Sequence, residues 1–354
     1  MLLSTKTFGR RRLEWYMKHR RDLPWRCNAQ RPGPLDPYHV LVSETMLQQT
    51  QVATVVPYYL RFLARFPKVA DLAEVDEQEV LRLWQGLGYY SRARNLQSAA
   101  RKILSDHGGK LPRTRDELLG LPGIGRYTAG AIASIAFDQR VPILDGNVTR
   151  VLCRLDNIRT DPRSRDNQNI LWTKAEEILP SKGIGDFNSA LMELGATVCT
   201  PRNPQCLLCP VQKHCEAFAA GMQESIPAPR KAKPTPLCRR QTYCISRAGK
   251  WLIEQRPPRG RWAGMWQFIT IETAQSSGES LFPLSVLRPR RLGLVSHALT
   301  HRRYEFEIFI ARSRNGDLPR SDRPTQWVKL DDLHRYPVPR PHVKIAAMLR
   351  DETA

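Results

Sequence analysis

The stretch "LPGIGRYTAG", residues 121–130, puts a proline and two glycines between two runs with helical spacing. Before it stands "TRDELLG" (114–120), and after it "AIASIAF" (131–137), so the segment reads as helix, tight turn, helix. Gly123 and Gly125 let the backbone turn sharply. The second helix then aims its unpaired N–H groups outward, which suits a phosphate. Alone, such a turn reads equally well as a plain connector. Tyr127, a bulky residue, falls in the first turn of the second helix, where Thr128, Ala131, Ile132 and Ile135 share one face.

The charge favours the phosphate reading. The 354 residues carry 55 Lys+Arg against 34 Asp+Glu, a net charge of +21, which fits a polyanionic partner, nucleic acid above all. No apolar run is long enough to span a membrane. The start, "MLLSTKTFGRRRLEWY", lacks the apolar core of a secretory signal; its arginines leave a transit peptide as an alternative, but Leu13, Glu14, Trp15 and Tyr16 read as a helix. A cytoplasmic, nucleoid-associated location in a bacterium is the expectation. Eight cysteines in such a chain suggest thiols or metal ligands before disulfides.

Residues 1–222 read as helical, with no convincing strand. "PYHVLVSETMLQQTQVATVVPYYLRFLARF" has helical spacing, and "DEQEVLRLWQGLGYYSRARNLQSAARKILSDHGG" reads as two helices broken near Gly86 and Gly88. Pro227, Pro229, Pro234 and Pro236, among basic residues, mark 223–241 as a stiff linker. Residues 242–354 then read as α+β. "QTYCISRAGKWLIEQ" is a hairpin turning at Ala248-Gly249-Lys250, "RLGLVSHALTHRRYEFEIFIARS" two more strands, and "RPHVKIAAMLRDE" a closing helix.

Cys199-x6-Cys206-x2-Cys209-x5-Cys215 is the strongest spacing signal. Four thiols this close can surround one centre, either zinc or an iron–sulfur cluster. Zinc ribbons more often use two CxxC pairs, so the single tight loop fits a cubane cluster better.

The glycine turn and this cysteine loop, about 75 residues apart, together resemble the iron–sulfur DNA glycosylases of the endonuclease III superfamily. Within it the chain is similar to the adenine DNA glycosylases of the MutY type. "RDLPWR", "VSETMLQQTQV", "GLGYYSRARNL", "ILDGNVTRVLCR" and "FNSALMELGATVC" carry the likeness through the first domain; "RPPRGRWAGMWQF" and "SHALTH" carry it into the second. The resemblance implies a mainly α helix–hairpin–helix glycosylase domain over 1–222, made of a six-helix barrel module and an iron–sulfur module. A Nudix-like domain over 242–354 follows. It also implies a [4Fe-4S] cluster on Cys199, Cys206, Cys209 and Cys215, with Gly123 and Gly125 cradling a DNA phosphate.

Asp145, in "PILDGNVTRV", has the context of a helix N-cap. The resemblance gives it a second role, facing the sugar of a flipped nucleotide. There a carboxylate stabilises an oxocarbenium-like centre, or attacks it. Glu44 would otherwise read as a solvated helical glutamate; the resemblance makes it the general acid. The chemistry needs such a pair, because adenine leaves poorly as an anion and must be protonated. Asn147 would support Asp145 by hydrogen bonding. Tyr127 stands where bifunctional relatives carry a lysine that forms a Schiff base, so a monofunctional enzyme with water as nucleophile is implied.

Gln49 and Tyr89 match residues that wedge into the duplex, and Arg26, Thr50 and Leu87 match contacts to the opposite strand. The link "RCNAQRPGPLDPY" after Trp25 is longer than usual. After Gly264 the sequence shows no glutamate-rich Nudix box, only "ITIETAQSSGESLFPLSVLRPRR", so the second domain should recognise rather than hydrolyse. In the family it reads 8-oxoguanine through a Phe-Ser-His loop. Here that loop is Leu299-Thr300-His301, with Thr300 and His301 as the candidate lesion contacts.

The expected function is excision of adenine opposite 8-oxoguanine or guanine in double-stranded DNA, by a monomer that is not membrane-bound. A thymine or oxidised-pyrimidine glycosylase and a non-catalytic DNA-binding iron–sulfur protein are the rivals.

Overall fold

A computed structural model describes residues 5–26, 35–229, 234–272, 288–313 and 323–353. The chain divides into two compact units. One comprises residues 1–74 and 95–231; the other comprises 75–94 and 232–354. The sequence reading keeps 75–94 with the flanking helices, because both sides of the break near Gly86 and Gly88 have helical spacing. The contacts of these residues group them with the second unit instead.

The helices, in chain order, are α1 Thr5–His19, α2 Pro37–Leu47, α3 Val52–Arg65, α4 Val69–Glu74, α5 Glu77–Trp84 and α6 Ser91–His107. They continue as α7 Arg115–Leu119, α8 Arg126–Phe137, α9 Gly146–Leu155, α10 Arg165–Glu177, α11 Ile184–Thr197, the short α12 Glu216–Ala219 and α13 Arg340–Thr353. Among the described residues of the first unit no strand forms.

Local signals set the helix starts. Pro37 opens α2 behind Asp36, whose side chain accepts the Tyr38 N–H. Thr114 and Glu117 form a capping box on α7, and Ser164 caps α10. α8 departs from the one-faced pattern, since every residue from Thr128 to Ser134 is buried. It packs on α2, α7 and α11, so neighbours cover it on several sides. α2 is likewise buried from Val40 through Met46, Glu44 included. α9 and α11 share a core of Val148, Leu152, Phe187, Leu191 and Leu194, which extends to Val198, Val211 and Ala217 beside the cysteine loop. Gly195 makes the α9–α11 contact possible. A Cβ there would meet Asn147 Cβ at 2.6 Å.

Among the described residues, the second unit is built on a six-stranded mixed sheet. Its strands are β1 Leu237–Arg247, β2 Lys250–Gln255, β3 Trp266–Glu272, β4 Arg290–Leu299, β5 Arg302–Arg312 and β6 Thr325–Val328, in the order β4-β5-β1-β3-β2-β6. β1 and β5 pair in parallel; the other pairs are antiparallel. β1 begins at Leu237, inside the stretch read as linker, because its register with β5 starts there (Leu237 opposite Arg303). The β1–β2 turn is the one expected, with Ala248 and Gly249 both at positive φ. Side chains alternate between faces, as strands require. Cys244, Phe268, Phe306 and Ile308 join Ile345 and Leu349 of α13, whereas Tyr243, Ile245, Leu252 and Ile269 form a smaller cluster. Most of the stretch searched for a Nudix box, 273–287, lies outside the described residues, as do residues 27–34 of the long link.

Candidate active site and thiol cluster

Three helices of the first unit bring the expected catalytic residues to one cavity of about 950 Å³. α2 supplies Glu44, the first turn of α8 supplies Tyr127, and the start of α9 supplies Asp145 and Asn147. Tyr127 Oη donates to Glu44 Oε2 at 2.7 Å and lies 3.3 Å from Met192 Sδ. Asp145 is the N-cap of α9. Its Oδ1 accepts the Val148 N–H at 2.7 Å, and its Oδ2 accepts Asn147 Nδ2 at 3.0 Å.

These surroundings separate the two carboxyl groups. Burial pushes Glu44 up to about 7; the Tyr127 hydroxyl pulls it down, and the nearby Asp145 charge raises it further. Burial also raises Asp145, but the Val148 N–H and Asn147 amide favour its ionised form and hold it back. Glu44 therefore keeps its proton into the neutral range, in a site that also holds a hydrogen-bonded carboxylate. Burial, then the two acids, raises Tyr127 well above an ordinary phenol, so it stays a neutral donor.

The sequence reading names Arg26 but misses Glu193 and Arg21, which surround it in this cavity. Glu193 of α11 is fully buried; its Oε1 accepts Arg21 Nε at 2.8 Å, and its Oε2 accepts Arg26 Nη2 at 2.8 Å. Burial alone would push Glu193 up, but the Arg21 and Arg26 bonds outweigh it and hold the acid at about 2. Arg26 is thus a wall of the cavity, with only 13% of its side chain exposed, and not a contact on an open surface. A glutamate inside the otherwise apolar run "SALMELGA" was the available signal.

Two more buried arginines connect this site to the cysteine loop. Arg150 Nη2 donates to Asn147 Oδ1 at 2.8 Å, while its Nε donates to the Cys199 carbonyl at 2.7 Å. One turn on, Arg154 Nη1 reaches Cys199 Sγ at 3.3 Å. Cys199, Cys206, Cys209 and Cys215 are free of disulfides and line one small cavity, with Arg154 in its wall. Burial pushes the Cys209 thiol up to about 12. Among the described residues no three of these side chains stand close enough to hold a single metal ion, but four thiols lining one cavity, with a guanidinium aimed at one sulfur, suit an iron–sulfur cluster.

The turn between α7 and α8 is exposed at Gly123, Gly125 and Arg126. Gly123 has φ +76°, and a Cβ there would meet Asn95 Cβ at 2.5 Å, so only glycine fits. Gly125 corrects the sequence reading. Its φ is −95°, an extended conformation open to any residue, and a Cβ would meet nothing. No side chain caps α8, which leaves its first N–H groups to solvent or a ligand.

Gln49 and Tyr89 occupy exposed loop positions in the left-handed region, with φ +56° and +47°. Such strain in non-glycine residues gathers at functional sites. Gln49 and Thr50 line the cavity of the first unit. In the second unit, Tyr89 Oη and Thr300 Oγ1 share a hydrogen bond of 2.9 Å at the β4–β5 turn, where Thr300 and His301 are exposed. Leu87 is buried, which does not offer its side chain to a strand of DNA. Leu299 is partly buried and packs on the core of its unit.

The chain matches three families: HhH-GPD superfamily base excision DNA repair protein over residues 42–177, iron–sulfur binding domain of endonuclease III over 199–215, and NUDIX domain over 241–348. It is 37% identical to the adenine DNA glycosylase of Mus musculus, over 96% of this chain and 77% of that protein. It is 31% identical to the one from Buchnera aphidicola subsp. Schizaphis graminum, over 98% of this chain and 100% of the relative. Among solved structures, a thermostable thymine-DNA glycosylase is similar at TM-score 0.53 and 31% identity, over 61% of this chain and 97% of that one. An endonuclease III–DNA complex is similar in fold, at TM-score 0.52 and 24% identity, over 63% of this chain and 100% of that one.

Proposed function

Because this chain belongs to the adenine DNA glycosylases of the helix–hairpin–helix base excision repair superfamily, we propose that its substrate is adenine paired with 8-oxoguanine, and with guanine. A target base must leave the duplex to be reached. Gln49 and Tyr89 are the wedges, the uncapped start of α8 holds a phosphate, and the flipped adenine enters the cavity of the first unit. Arg21, Arg26 and Glu193 form its rigid polar wall and orient the base. Glu44, protonated near neutrality, gives its proton to a purine ring nitrogen as the glycosidic bond breaks. Ionised Asp145, held by Val148 and Asn147, faces the sugar cation until water attacks. Thr300 and His301 read the opposite base. The protein acts as a monomer at the bacterial nucleoid.

Cys199, Cys206, Cys209 and Cys215 would hold a [4Fe-4S] cluster, one thiolate per iron. When bound, it braces the loop beside α9 and supplies no step on the base.

The observation that carries this reading is the Tyr127–Glu44 hydrogen bond beside the capping Asp145. A hydroxyl stands where strand cleavage would need an amine, next to an acid poised to donate. Base release from defined mispair duplexes tests it. Adenine should be freed from 8-oxoguanine:adenine, strand breakage should need added base or heat, and borohydride should trap no adduct. Efficient trapping would overturn the monofunctional mechanism. Release of thymine instead would favour the reading suggested by the thymine-DNA glycosylase. Thr300→Ala should lose discrimination between 8-oxoguanine:adenine and guanine:adenine; unchanged discrimination would remove Thr300 from the lesion site. Purified protein should carry about four irons per chain.

A further inference from the structure

Arg154 is 2% exposed and has no carboxylate partner among the described residues. Its Nε donates to the Ile226 carbonyl at 2.8 Å and its Nη1 to the Thr200 carbonyl at 2.7 Å; its Nη2 lies 3.4 Å from the Pro201 carbonyl. These acceptors are neutral. A buried guanidinium with only neutral partners is costly, by several kcal/mol, unless a negative charge lies close. The remaining contact is Cys199 Sγ at 3.3 Å. Arg150, one turn earlier, donates to the Cys199 carbonyl and not to its sulfur. The two arginines therefore divide one cysteine between them: Arg150 fixes its backbone, and Arg154 addresses its electrons.

We propose that Arg154 is the counter-ion of the thiolate set and tunes the reduction potential of the iron–sulfur cluster by donating an N–H bond to Cys199. A cation and a donated hydrogen bond both favour the more electron-rich state of a metal–thiolate centre, so Arg154 raises the potential. Its other bonds, to Thr200 and Ile226, lock the guanidinium in place, so it cannot swing away when the charge on the cluster changes. The proposal rests on the cluster reading, and the iron content of each preparation separates failure of that reading from failure of this one.

The test is voltammetry of the purified holoenzyme, alongside Arg154→Gln, Arg154→Lys and Arg150→Gln. The bond moves the oxidation equilibrium only by the difference in its strength between the two cluster charges, so its whole worth, about tenfold in an equilibrium, is the ceiling. Arg154→Gln, with its iron retained, should shift the oxidation equilibrium by up to about tenfold, moving the midpoint lower by up to about 59 mV for one electron. Arg154→Lys, which keeps the charge but not the fork, should fall between. Arg150→Gln should shift less than Arg154→Gln. An unchanged midpoint in iron-loaded Arg154→Gln overturns the proposal. So does an equal shift in Arg150→Gln, which would assign the effect to net charge. Loss of iron from both Arg154 variants, with Arg150→Gln still loaded, also overturns it by making Arg154 a structural clasp.

Discussion

Glu44 and Glu193 line the same cavity, both are almost wholly buried, and their protonation is opposite. Glu44, on the α2 wall, faces a hydroxyl and another acid and rises to about 7. Glu193, on the α11 wall, faces Arg21 and Arg26 and falls to about 2. Burial pushes both upward, so burial is not what distinguishes them. The partner decides: a neutral donor leaves the acid able to keep a proton, while two guanidiniums remove it. One wall is suited to giving a proton, the other to holding a fixed shape.

The most direct way to break this contrast is Glu44→Gln, which keeps the shape and removes the acid. Single-turnover adenine release should fall by about 10²–10⁴-fold, the usual worth of a positioned acid. A fall of less than tenfold would deny Glu44 that role. Glu193→Gln should act on stability instead, because it leaves two cations facing a neutral amide. About 3 kcal/mol should be lost in urea unfolding, the low end for breaking a buried pair because Arg21 is partly exposed. Since the folded acid lies far below its ordinary value, its contribution is present above the usual carboxylate range and fades as pH falls toward about 2. The variant should lack that acid-range slope.

Gly195→Ala probes the floor beneath Asp145, the carboxylate proposed to face the sugar. The new Cβ would press on Asn147, costing about 1–3 kcal/mol of overpacking and displacing the amide that bonds Asp145. With that bond weakened, Asp145 should titrate higher, and the acid limb of the pH–rate profile should move up. An unmoved limb would show that the Val148 N–H suffices. The smallest effect is expected from Tyr127→Phe. For kcat/KM the alkaline limb should lie near 7, where Glu44 loses its proton. The Tyr127 hydroxyl lowers Glu44, so its removal should shift this limb upward by on the order of one pH unit. A downward shift would contradict the hydrogen bond.

How much of this was legible depends on the range of each signal. The helix–turn–helix at 114–137, the β1–β2 turn and the closing helix rest on neighbouring residues, and their spacing shows them directly. The thiol set is visible for the same reason, being contained in residues 199–215. Gly123 and Gly125 look alike in sequence, but only the first needs its glycine, because only there do Asn95 and a positive φ exclude a side chain. The pairing of Arg26 with Glu193, 167 residues away, has no local sign in the sequence.

By itself the sequence determined the chemistry available: four clustered thiols, a tyrosine in place of an amine, an aspartate at a helix start, and a strong positive charge. Only the tertiary structure decided how that chemistry is poised. It pairs Glu44 with Tyr127 across 83 positions, Glu193 with two arginines, and Arg154 with a sulfur. It also groups residues 75–94 with the second unit. The physical reason is that residue type and spacing fix which groups exist, whereas protonation depends on desolvation and on the nearest charge, and both are set by distant segments brought together in folding.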